Sequence, residues 1–84
     1  MNHDAITCEQ HDFIEVACMY GYQLKLILKD KQVMEGKAID IVSSIEKGEC
    51  LVIDDNVNQQ HVVLSQLAKL EVTTPNAKFS EVTF

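Results

Sequence analysis

Between Cys8 and Asp30, CEQHDFIEVACMYGYQLKLILKD, the spacing of apolar positions changes once. At about 100° per residue, Phe13, Val16, Ala17 and Tyr20 fall on one stripe with Ile14 at its margin. This predicts an amphipathic helix over residues 8–21. Thr7 is a candidate N-cap with Gln10 as capping-box partner, and Cys8 and Glu9 are the alternative starts. Gly21 suits a helix C-terminus that ends in a left-handed residue. From Gln23 the period falls to two. Leu24, Leu26 and Leu28 face one way and Lys25, Ile27 and Lys29 the other, as in a half-buried strand.

Asp30-Lys31 then makes a tight turn. Gln32 to Val42 is a second, longer strand pattern, in which Gly36 suggests a bend or bulge of the kind that curls a sheet. Ser43 to Gly48 is a polar connection, and Glu49 to Asp54 a third strand followed by turn chemistry at Asp55-Asn56. Gln59 to Leu64 is a fourth strand, with Val62 and Leu64 alternating with His61 and Val63. Ser65-Gln66-Leu67 reads as one helical turn, and Lys69 to Thr73 as a fifth strand closed by Pro75. One helix and five short strands joined by tight turns predict a mainly β (α+β) domain, a small bent antiparallel barrel capped by its N-terminal helix. The division expected along residues 1–84 is a lead-in (1–7), the helix (8–21), the barrel (22–73) and a tail or edge strand (74–84).

Eighty-four residues, 46% apolar and 24% charged, suffice for one small core without disulfide or metal staples. Thirteen acids stand against seven basic residues, a net charge of −6, and every basic residue is lysine. Readers of nucleic acid depend on positive charge for counterion release and on arginine for bidentate contacts, so direct binding of nucleic acid is not expected. The imbalance is sharpest at the start: Met1 to Leu24 holds Asp4, Glu9, Asp12 and Glu15 but no Lys or Arg. Acids in a first helical turn offset the macrodipole, and polar outer faces are ordinary. The functional alternative is that Asp12 and Glu15, with Glu9, form a docking surface for a basic partner.

Other chemistry is weakly supported. Cys8, His11 and Cys18, with His3 nearby, do not fall on one helix face and include no paired ligand motif, so no metal is expected. Cys50 or Cys8 with His61 or His11 lacks an orienting third group, so neither a catalytic site nor a cofactor is expected. Cys18 and Cys50 read as packing thiols, and Tyr20 and Tyr22 as rim packing. There is no basic leader and no apolar run of membrane-spanning length. Reduced thiols in the cytoplasm are the expectation.

Several segments carry a family resemblance: Ile6-Thr7-Cys8, Ile14-Glu15-Val16-Ala17-Cys18, and Leu24 to Asp30. It continues through Gly36-Lys37-Ala38, Asp40-Ile41-Val42, Glu49 with Leu51-Val52-Ile53, and Val63-Leu64-Ser65 with Leu67 and Leu70. Together they resemble the Rho-binding antiterminator (Rof-type) family, inhibitors of transcription termination factor Rho. Lys31 stands where the family often carries a turn glycine. The resemblance implies an Sm-like five-stranded barrel with a capping helix. It also implies binding to the N-terminal primary RNA-binding domain of hexameric Rho, which blocks RNA loading and relieves termination. By position, Glu9, Asp12 and Glu15 match an acidic helix surface of the family. A monomer is expected. The alternative is an Sm-like module that binds single-stranded RNA itself through Lys25–Lys37, where four lysines face two acids.

Overall fold

A computed structural model describes residues 7–46 and 48–84. Helix α1 spans Cys8–Tyr20 and is followed by strands β1 (Gln23–Leu28), β2 (Val33–Ser44), β3 (Gly48–Asp54) and β4 (Gln59–Val63). A 3₁₀ turn, Leu64–Gln66, then leads into β5 (Leu67–Val72) and β6 (Glu81–Thr83). All five expected strands are present, and the segment read as a tail or edge strand adds a sixth. His3 and Ile6 lie outside the described residues.

Both helix ends are fixed locally. The Gln10 amide N–H donates to Thr7 Oγ1 at 3.1 Å, and the Thr7 N–H donates to Gln10 Oε1 at 2.9 Å, a complete capping box. At the other end Gly21 adopts φ 62°, ψ 43°, and the chain turns straight into β1. The buried face of α1 is rotated from the expected one. Ile14 and Ala17 are fully buried, Phe13 and Val16 only half-buried, and Tyr20 is 53% exposed. The expected stripe of Phe13, Val16, Ala17 and Tyr20, with Ile14 at its margin, thus gives way to one in which Ile14 and Ala17 are the buried positions. Sequence periodicity marks an apolar arc, whereas the neighbouring sheet decides which part of it is covered.

The strands form one antiparallel sheet in the order β4-β3-β2-β1-β5-β6. β4 and β5 stand four places apart, about 19 Å in a flat sheet. Yet the three-residue 3₁₀ turn that joins them advances only about 6 Å. The sheet must therefore curl. Two register shifts accompany the bend, one in β2 between Ala38 and Asp40 and one between β1 and β5 at Ile27/Leu28. At the first, Ala38 points inward, Ile39 and Asp40 are both exposed, and Ile41 returns to the core side. The expected bulge at Gly36 is thus displaced to Ile39. Gly36 itself pairs regularly with Leu24 and has another role: a β-carbon there would lie 3.0 Å from the Asp54 carbonyl oxygen and 3.1 Å from Ile53 Cβ. It lets β2 and β3 approach closely.

Inside the curl, Leu24, Leu26, Ala38, Leu51, Ile53, Val62, Leu64, Leu67 and Leu70 form one cluster with Ile14 and Ala17. The chain after Pro75 folds back over the helix. Phe79 packs against Phe13 with ring centroids 4.9 Å apart and meets Tyr22 edge-on at 5.9 Å. β6 pairs with β5 through Lys69↔Thr83, Leu70↔Val82 and Glu71↔Glu81, and Lys69 Nζ bridges Glu71 and Glu81 at 3.3 and 2.9 Å.

Candidate partner-docking surface

The arc of α1 turned away from the core carries the acids singled out in the sequence. Glu9, Asp12 and Glu15 are all exposed, and Met19, 75% exposed, shares the arc. At about 100° per residue Asp12 sits at its centre, Glu15 on the flank toward β2 and β3, and Glu9 on the opposite flank. The three acids therefore share one broad face rather than a narrow patch. Asp12 and Glu15 with Met19 make its compact part, two carboxylates beside an apolar knob that sequence reasoning passed over. A methionine one turn past Glu15 was the available signal.

Toward β3 the surface continues into a cleft lined by His11, Glu15, Cys18, Asp40, Ile41 and Glu49. His11 bridges it, with Nδ1 2.8 Å from Glu15 Oε1 and Nε2 3.0 Å from Glu49 Oε2. The hydrogen bond with Glu49, together with the attraction of Glu49 and Glu15, raises the His11 pKa above its ordinary 6.5, and partial burial opposes the rise. Burial first, then the negative charges of Asp40 and Glu15, push the Cys18 thiol up to about 11. Cys18 is therefore a neutral thiol near neutral pH, poorly suited to act as nucleophile or ligand. All three cysteines are free. Among the described residues no group of three or more His, Cys, Asp or Glu side chains is arranged to hold a metal ion. No helix among them is long and apolar enough to cross a membrane.

The basic segment Lys25–Lys37 is offset by its neighbours. Lys25 stands in register with Glu35 on one side and Glu71 on the other, and Lys37 with Asp54, positions whose side chains share a face. A β-carbon at Gly21 would lie 2.7 Å from Lys37 Cε, so the Lys37 side chain rests against the C-terminus of α1. There its charge complements the helix dipole, which no basic residue of the last turn does. Lys31 takes φ 72° in the turn where a glycine would be unstrained. At the helix end Tyr20 stacks on Tyr22 (5.6 Å, 16°), and the Tyr22 hydroxyl accepts from the Lys78 N–H at 2.9 Å. Tyr22 is thus an anchor of the rim, with Tyr20 laid over it.

Comparison with known proteins gives a consistent picture. Residues 5–84 match the family described as "Modulator of Rho-dependent transcription termination (ROF)". Protein rof of Escherichia coli (strain K12) is 36% identical over 52 residues, which cover 62% of this chain and 61% of that protein's length. Protein rof of Shigella flexneri matches to the same extent. Among solved structures, that titled "YaeO bound to Magnesium from Vibrio cholerae O395" superposes with a TM-score of 0.81 at 29% identity, covering 87% of this chain and 95% of the other.

Proposed function

Because the chain belongs to the family of modulators of Rho-dependent transcription termination, we propose that it binds termination factor Rho at its N-terminal primary RNA-binding domain and keeps RNA from loading there. Termination at Rho-dependent sites is relieved as a result, in the cytoplasm and without catalysis, metal or cofactor. A single copy of the chain is the binding unit. We infer with it that the curled sheet is a small barrel of the Sm-like kind capped by α1.

The observation that carries the reading is the exposed face of α1, where Asp12 and Glu15 flank Met19 on a helix without lysine or arginine. A site built to receive phosphates is basic, and carboxylates held on a rigid helix partly stand in for them. Opposite potentials speed encounter more than they deepen affinity. Each exposed charge is worth roughly 0.2–1 kcal/mol, so a single neutralisation changes little. Glu9 lies at the edge of this face. The direct RNA-binding alternative gains no support from Lys25 and Lys37, which stand in register with Glu35, Glu71 and Asp54.

The test is Asp12→Lys combined with Glu15→Lys. Both side chains are solvent-exposed, so the fold should survive; Glu15→Lys removes the contact with His11 Nδ1, a loss of no more than about 1 kcal/mol for an exposed pair. Rho binding and antitermination in vitro should fall sharply, because attraction becomes repulsion. Undiminished Rho binding by the folded double variant would move the contact surface to the loops, chiefly Ser43–Gly48 and Asp54–Gln60.

A further inference from the structure

We propose that His11, in its doubly protonated form, is a positioning residue for this docking face: an imidazolium clasp that holds α1 to β3 and sets the placement of Glu15. The part of this proposal that concerns partner binding rests on the Rho reading, whereas the clasp itself does not.

The argument is one of donors and acceptors. Both ring nitrogens of His11 face carboxylate oxygens, Glu15 Oε1 at 2.8 Å on the same helix and Glu49 Oε2 at 3.0 Å on β3. A carboxylate can only accept, and a neutral imidazole has one N–H. Neutral His11 would turn a lone pair toward one of the two carboxylates, so only the cation satisfies this geometry. The surrounding groups reinforce that demand. From α1 come Glu15 and the neutral thiol of Cys18, from β2 Asp40, and from β3 Glu49. Among the described residues lining the cleft, His11 is the one that can carry positive charge, set among three carboxylates.

When the proton leaves, one contact changes from attraction to repulsion and the remaining carboxylates repel one another. Glu15 is then released from its tether beside Asp12. Because the His11 pKa is raised on folding, the contribution of the clasp is complete below about 6.5 and is lost as pH climbs through the raised value. Glu15 and Glu49 are half-exposed, so salt screens the clasp and its effect is modest.

The experiment is a histidine and backbone NMR titration of the full chain, alongside His11→Gln and Glu49→Gln. His11 should titrate above the ordinary 6.5 of an imidazole. The amides of Gln10 to Cys18 and of Glu49 should move with the His11 midpoint, and Glu49→Gln should lower it. In His11→Gln those helix shifts should no longer depend on pH near neutrality. Rho affinity of the parent should weaken roughly two- to fivefold across the same transition, the size of an exposed ion pair, and that of His11→Gln should not. A His11 midpoint at or below about 6.5, or helix amides that ignore it, would overturn the clasp. A titrating clasp with pH-independent Rho binding, while Asp12→Lys/Glu15→Lys still abolishes binding, would overturn the coupling to docking and leave the docking face standing.

Discussion

The side-chain amide of Gln10 donates to the backbone carbonyl of Thr83, 3.0 Å away and 73 residues later. The residue that completes the capping box of α1 therefore also fastens the first helical turn to the last strand. Gln10→Ala removes the reciprocal cap and this tie together. The expected loss is about 1 kcal/mol, a fall in Tm of roughly 4–8 °C for a domain of this size. Thermal unfolding followed by circular dichroism checks it.

Phe79 should matter more. It is half-buried between Phe13 and Tyr22, so Phe79→Ala loses apolar burial and two aromatic contacts. About 2–3 kcal/mol of stability should disappear in urea unfolding. Lys78→Ala, one residue earlier and exposed, is the control: its ammonium lies 5.5 Å from the Tyr20 ring and should contribute under about 1 kcal/mol. Equal effects would mean that the segment after Pro75 does not brace the helix.

Gly36→Ala tests the close approach of β2 and β3. The new methyl would meet the Asp54 carbonyl and Ile53 Cβ at 3.0 and 3.1 Å, both parts of a packed neighbouring strand. A loss of about 1–3 kcal/mol is expected from overpacking. An unchanged melt would show that the two strands separate freely there.

Thiol reactivity should follow exposure and charge. Cys8 is exposed, whereas Cys50 is buried and the half-buried Cys18 thiol has its pKa pushed up to about 11. Alkylation at about pH 8, read by mass spectrometry of peptides, should modify Cys8 first. Raising the pH toward 11 should bring in Cys18 as its thiolate appears. Early labelling of Cys18 would contradict the packing around it.

The local instructions of this fold are written in short windows of sequence. Thr7 and Gln10 cap the helix, Gly21 ends it, and the alternation from Leu24 to Leu28 makes a strand whatever the rest of the chain does, because each depends on neighbours within a few residues. The absence of arginine and the run of acids through Glu15 likewise fix the electrostatic character of α1 before any folding. The choice of Ile14 over Tyr20 as the buried position was not legible, since an apolar arc wider than the contact it makes leaves its rotation to the sheet beneath. Nor was the displacement of the β2 bulge from Gly36 to Ile39, which follows from pairing with β3, or the return of Phe79 onto Phe13. The clasp through His11 belongs to the same class. Its two carboxylates lie four and thirty-eight residues away, and only tertiary packing could bring Glu49 to a helix whose own sequence supplies one of the pair.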